Sequence, residues 1–383
     1  MAAVHATDLK RAIALKAVTR ACILAALGLI SGGESRAEKG MVIKTHFFFD
    51  NEGLLVQMPV VRWITDLSSD MEFSIQFRVD RVNIPPARSI AGIPKPVDAV
   101  TGASRPASAG KENVYYIKSR NEAVASLSMK NLTLGAYYSV ENDYRARLVS
   151  VGISHEWNQK NTNLAAKLSY GWDDITPLNR QETFDKRNVM ATLVLTQSLS
   201  PTAIMRMGID ASYVTGFQSN PYRSAFVGGE HRLEVHPPKR KRFAFFIKLN
   251  RYLLPARASL WTDYRFYVDD WKIRSHTLEL KYYQYVSKAL YIRYRYRYYR
   301  QSAAWFYRKI YPADSEYFTA DFKLIGFTAH LFGFRMGLAL EKLSRKLRLP
   351  LLQHSRLEFK YERYFTSEKY AANIMEIGVR FSR

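Results

Sequence analysis

Residues 291–300 read Tyr-Ile-Arg-Tyr-Arg-Tyr-Arg-Tyr-Tyr-Arg. Successive side chains of an extended strand point to opposite faces. Arg293, Arg295 and Arg297 therefore share one face, and Tyr294, Tyr296 and Tyr298 the other. The same period of two recurs from about residue 42 to the C-terminus. Phe73, Ile75, Phe77 and Val79 alternate with Glu72, Ser74, Gln76, Arg78 and Asp80. Phe243, Phe245, Ile247 and Leu249 oppose Arg242, Ala244, Phe246, Lys248 and Asn250, and Leu357, Phe359 and Tyr361 oppose Arg356, Glu358, Lys360 and Glu362.

Two architectures produce such a pattern. A soluble β-sandwich turns the apolar face into a core, whereas a transmembrane barrel turns it toward lipid and keeps the polar face in the lumen. The runs exceed the roughly five or six residues of soluble strands and suit a tilted span. Abrupt turns join many of them, as at Asp66-Leu67-Ser68-Ser69, Asn158-Gln159-Lys160-Asn161, Ser200-Pro201-Thr202 and Ser287-Lys288. Long segments intervene near 83–118, 174–185, 216–240 and 302–315. Short turns on one side, long loops on the other and abundant Tyr and Trp favour the barrel. The expected fold is all-β, a transmembrane antiparallel up-and-down barrel of about 16 strands, within a range of roughly 14 to 18.

Counting the runs gives one strand too many for the even number expected of a bacterial barrel. The suspect stretch is 316–352. Met336, Leu340, Leu343 and Leu347 recur there at helical spacing, beside Lys342, Arg345, Lys346 and Arg348. Between 335 and 349 the pattern fits either a strand or a basic amphipathic helix.

Compartment follows from the first segment. Lys10, Arg11, Lys16 and Arg20 precede an apolar stretch from Ala21 to Gly33, shorter than the roughly 18 to 20 residues of a spanning helix, and Ser35-Arg36-Ala37 supplies small residues for cleavage. Residues 1–37 thus read as a signal peptide, cleaved near Ala37, and 38–383 as one barrel domain in a bacterial outer membrane. The single cysteine, Cys22, would leave with the signal, so no disulfide framework or cysteine-rich metal site is available. At the other end Met375, Ile377, Val379 and Phe381 alternate like a final strand recognised by the barrel-assembly machinery, with Ser382 and Arg383 after the aromatic residue.

Several motifs resemble a known family. They are Val97-Asp98-Ala99-Val100-Thr101-Gly102-Ala103-Ser104, Pro221-Tyr222-Arg223, Asp263-Tyr264-Arg265-Phe266-Tyr267-Val268-Asp269-Asp270-Trp271, Ser275-His276-Thr277, Tyr298-Tyr299-Arg300-Gln301-Ser302-Ala303-Ala304 and Phe306-Tyr307. The chain resembles the bacterial family of domain of unknown function 3570, over nearly its whole mature length. That resemblance implies an outer-membrane β-barrel and brings no established activity. The match departs at Lys272, Arg300 and Trp305, where the pattern favours Gly, Ser and Asp.

Site chemistry is sparse. Adjacent Ser275 and His276 point to opposite faces of a strand and make a poor nucleophile–base pair. Asp269 and Asp270 with His276 are the only local acid–base grouping, and the other mature histidines (46, 155, 231, 236, 330, 354) lack metal-ligand spacing. No phosphate loop is present. The expectation is no enzyme, no metal and no cofactor. Arg265, Asp269, Asp270 and His276 are expected to form a charge network at the rim.

The arginine ladder is the stronger lead. Its guanidinium groups repeat about every 6 to 7 Å, and each would cost roughly 2–4 kcal/mol against lipid near the midplane. The ladder is therefore expected to face the lumen, offset in part by Glu279, Asp321, Glu358 and Glu362. A net charge of +23 behind an export signal, spread over most strands, argues against nucleic acid. Small anions are the expected solutes of a channel with a basic lumen. The alternative is a non-conducting scaffold that docks a periplasmic or extracellular partner. Outer-membrane lipid is the expected surrounding, and rim basic residues are available to lipopolysaccharide phosphates.

Overall fold

The computed structural model describes residues 39–84, 116–178 and 181–382, with the backbone of 88–90 and 93–95. The expected signal peptide and most of the 83–118 segment lie outside the described residues.

The strands in chain order are β1 (Gly40–Asp50), β2 (Leu55–Ser68), β3 (Met71–Ile84), β4 (Arg88–Ile90), β5 (Ile93–Lys95), β6 (Tyr116–Met129), β7 (Leu132–Val140), β8 (Tyr144–Trp157), β9 (Thr162–Ile175) and β10 (Phe184–Ser200). They continue as β11 (Ala203–Gly216), β12 (Ser224–Val227), β13 (Glu230–Leu233), β14 (Lys239–Leu253), β15 (Ala258–Asp269), β16 (Arg274–Tyr285), β17 (Leu290–Gln301), β18 (Phe327–Ala339), β19 (Ser355–Thr366) and β20 (Ala371–Ser382). Two pairs, β4–β5 and β12–β13, are small hairpins; the other 16 strands form a closed barrel. Neighbours run antiparallel in chain order, and β20 closes on β1 from Gly40↔Ser382 to Asp50↔Ala372. Closure leaves no edge, which lipid would otherwise confront with unpaired backbone groups.

Burial is inverted relative to a soluble sandwich. Val149, Val151 and Ile153 on the outside of β8 are 48%, 41% and 61% exposed, while Glu362 and Glu376 inside are 2% and 3% exposed. Apolar groups outside and charged groups inside are stable only with hydrocarbon around the wall, so the barrel spans a membrane. Rings stack along the outer face near its ends, as Tyr170 on Trp172 and His155 on Trp157.

The barrel has a long-loop end and a short-turn end. Turns at 69–70, 130–131, 158–161, 201–202, 254–257 and 286–289 share the short end with the start of β1 and the finish of β20. The segments 176–178, 181–183, 217–238 and 302–326 share the other with the finish of β3 and the start of β6.

The extra run proves to be 316–325, which is loop rather than strand. Its apolar residues pack inside protein: Leu324 joins Trp271, Ile273, Ala304 and Phe306, and Phe318 joins Ala225, Val227 and Tyr311. Loop packing mimicked strand alternation there. The 335–349 ambiguity resolves into both forms, because β18 runs to Ala339 and a short helix, α1 (Glu341–Leu347), follows at the short-turn end.

Candidate functional site

A ribbon of paired charges lines one side of the lumen. Glu376 on β20 lies 3.0 Å from Arg335, 3.0 Å from His46, 3.9 Å from Lys44 and 3.6 Å from Lys360. Arg335 also reaches Glu358 at 3.2 Å. Glu362 receives Arg293 at 3.1 Å, Arg295 at 3.0 Å and Lys360 at 3.7 Å. Arg295 and Lys281 both pair with Glu279. Lys281 continues to Asp263 at 3.1 Å, with Lys248 at 3.9 Å. The ribbon crosses eight neighbouring strands, from β1 round through β20 to β14. Period-two alternation places each member on the lumen face.

The ladder divides within this ribbon. Arg293 and Arg295 are held by carboxylates, whereas Arg297 lies 5.9 Å from the Tyr299 ring centre. Farther round the wall, Lys186 reaches the Tyr144 hydroxyl at 3.5 Å, and Arg242 makes no hydrogen bond through its buried Nε. Among the described residues, Arg297, Lys186 and Arg242 have no carboxylate within ion-pair distance.

The long-loop end carries a roof. The β12–β13 hairpin turns at Gly228 and Gly229, whose φ values of 60° and 91° are left-handed. A Cβ at Gly228 would stand 2.7 Å from that of Ala313, so the hairpin and the 302–326 loop pack closely. Val235 and Phe318 exchange backbone hydrogen bonds, each at 3.0 Å. Arg223, 4% exposed, bridges Glu234 at 3.3 Å and Asp321 at 3.0 Å. Thr319 donates its hydroxyl to Glu234 at 2.9 Å. His236 packs edge-on against Trp271, and the Arg240 guanidinium lies 3.9 Å over the Trp271 ring. Tyr222 donates to Asp143 at 2.6 Å and accepts the Leu178 N–H at 3.0 Å, tying the roof to two other loops.

Between roof and wall lies a cavity of about 500 Å³, bounded by Lys118, Tyr144, Asp173, Lys186 and Asn188 from the strands and by Tyr222, Arg223, His236 and Lys323 from the loops. The Pro221-Tyr222-Arg223 motif thus contributes both to the roof and to the cavity. Asp321, expected to offset the ladder, pairs with Arg223 instead because 316–325 is loop.

The four rim residues do not form one network. Arg265 and Asp269 both face inward, but Arg265 sits deeper and reaches Asp210 at 2.8 Å. Asp269 receives the Arg240 Nε at 2.9 Å and the Tyr267 hydroxyl at 2.7 Å. Asp270 accepts the backbone N–H of Lys241 at 2.9 Å. His276 is on the outer face, 2.8 Å from the Tyr264 hydroxyl. The tight turn itself is present, with Asp269 accepting the Ile273 N–H at 2.9 Å. Lys272 there has φ 62°, a left-handed position of the kind glycine adopts most readily.

Burial raises the Glu234 carboxyl, but the His236 ring and the Arg223 charge outweigh it and hold it below its ordinary 4.5. A lowered carboxyl contributes stability that is full above its unfolded value and is lost as pH falls through the folded one. Acidification should leave the roof docked at 4.5 and release it only below. Hydrogen exchange of the 219–236 amides checks this, and release at higher pH would contradict it.

Fold and site together define a membrane-spanning β-barrel with a charged lumen, roofed at its long-loop end. The chain belongs to the family described as Protein of unknown function (DUF3570), matching it over residues 118–184 and 178–373. Among solved structures it is similar to a BenF-like porin from Pseudomonas fluorescens Pf-5, at 9% identity and a TM-score of 0.45, covering 90% of this chain and 98% of that one. It is also similar to the outer membrane protein opdK from Pseudomonas aeruginosa (8% identity, TM-score 0.44, 89% and 96% covered). A loop-deletion mutant of OmpT, an outer membrane protein of Vibrio cholerae, gives 8% identity and a TM-score of 0.43, with 89% and 97% covered. No curated protein matches in sequence.

Proposed function

We propose that the barrel sits in a bacterial outer membrane and passes small anionic solutes through a basic lumen. The observation that carries this is the set of lumen-facing cations without a carboxylate partner, Lys186, Arg242 and Arg297, beside a ribbon whose bases outnumber its acids. Fixed positive charge within a low-dielectric wall raises the local anion concentration and repels cations. The long-loop end faces outward, as in other outer-membrane barrels, and β20 presents its alternating Met375, Ile377, Val379 and Phe381 to the assembly machinery. No reaction is assigned, since Ser275 is buried on the lumen side and His276 faces outward. Purified protein inserted into a planar lipid bilayer should carry ionic current; silence at every voltage would sink the channel reading.

One observation favours a second reading. The buried Arg223–Glu234–Asp321 cluster makes the roof a packed structure, which suits a non-conducting barrel displaying docked loops to a partner. Under that reading the bilayer stays silent and the roof surface is the functional element.

A further inference from the structure

The wall outside β14–β17 carries a second concentration of charge. Lys239 and Lys241 on β14 alternate with Arg240 and Arg242, so their exposed side chains point outward while the arginines point inward. Arg274 on β16 and Arg300 on β17 are likewise exposed and outward, flanking Ser275 and Tyr299 on the lumen side. Lys272 projects from the turn between β15 and β16, where its φ of 62° is a conformation that favours glycine. Asp270, in the same turn as Lys272, is engaged by the Lys241 backbone N–H at 2.9 Å. Among the described residues none of the five cations makes an ion pair.

Aromatic rings border the patch on its membrane side, with Arg300 in register with them and the other cations beyond. Lys241 stands one outward position above Phe243, and His276 pairs across the strands with Phe266 and with Arg300. Phe266 and His276 lie 5.1 Å apart, one outward position below Arg274. Outward basic groups are costly in hydrocarbon and favourable among anionic headgroups, while aromatic girdles mark that boundary. The patch therefore begins where the apolar belt ends, at the long-loop end.

We infer that Lys239, Lys241, Lys272, Arg274 and Arg300 form a binding site for the phosphate groups of a glycolipid headgroup, of the lipid A class, in the leaflet around the long-loop end. Guanidinium forks and ammonium groups gathered over the long-loop ends of β14–β17 suit phosphate oxygens. This rests on the outer-membrane placement proposed above and not on conduction, so its failure leaves the channel reading intact.

The test uses the purified full-length barrel in detergent, with bisphosphorylated lipid A as the probe and native mass spectrometry as the readout. The variant Lys241→Gln/Arg274→Gln/Arg300→Gln should bind about one hundred-fold more weakly, each surface charge being worth about a factor of five. Lys160→Gln/Arg257→Gln/Lys288→Gln, which removes equal charge from the short-turn end, should bind as the parent does. Lipid A stripped of phosphate should bind the parent as poorly as the intact lipid binds the first variant. Heat-modifiable migration on gels establishes that each variant remains a folded barrel. Equal binding by the two triple variants would overturn the site, as would undiminished binding of dephosphorylated lipid. Displacement of lipid A by an equal concentration of inorganic phosphate would show a free-phosphate site and overturn the lipid assignment.

Discussion

Replacing Arg223 with Met should release the roof and enlarge the current through the barrel. Arg223 is 4% exposed and its Nη1 stands between Glu234 and Asp321. Met fills much of the same space but brings no charge. Two carboxylates are then left facing one another, and Glu234 has no exposed side-chain surface. Removing one member of a buried ion pair costs about 3–5 kcal/mol, because the remaining charge keeps its desolvation penalty. That exceeds what a pair of loops outside the barrel ladder can absorb, whereas the closed sheet does not depend on it. The expected phenotype is local: a normally folded barrel, new protease cleavage within 217–238 and 302–326, and larger unitary current. Glu234→Gln should be milder, since Arg223 keeps Asp321. An unchanged current with demonstrably cleaved loops would show that the roof does not limit passage.

The second large effect is on ion preference. Changing Arg293, Arg295 and Arg297 together to Gln removes three lumen charges while leaving Glu362 beside Lys360 and Glu279 beside Lys281. The potential along that wall should move by an amount on the scale of several kT, carrying the reversal potential in a salt gradient toward cations. Arg297→Gln alone should shift it without exposing a carboxylate. Arg293→Gln with Arg295→Gln should shift it further, because Glu362 and Glu279 then lose their arginines. A reversal potential that the triple variant leaves unmoved would remove the ladder from any role in selectivity.

Much of this arrangement was legible in the sequence, for a physical reason. In a barrel wall successive side chains face lipid and lumen in turn, so period two writes the fold directly into the chain. The ladder, Glu279, Glu358 and Glu362 follow this alternation and stand on the lumen face. Asp321 failed because 316–325 alternates for another cause: Phe318 and Leu324 bury into different clusters of the roof. The rim network failed on the same alternation rule that served elsewhere. Position 276 belongs to the outward set of β16, and Arg265 and Asp269 find nearer partners on neighbouring strands. The roof itself was not legible, since Arg223 and Glu234 flank one hairpin and meet Asp321 from another loop, a docking that no local pattern records. Glu376 carries the same signal, an even position in β20 opposite the outward Met375 and Ile377.

The most direct test of the central claim is the reversal potential of the unmodified protein in a planar bilayer separating unequal concentrations of potassium chloride. A basic lumen predicts measurable current that reverses on the chloride side of zero. Current reversing on the potassium side, or no current at any voltage, would contradict it.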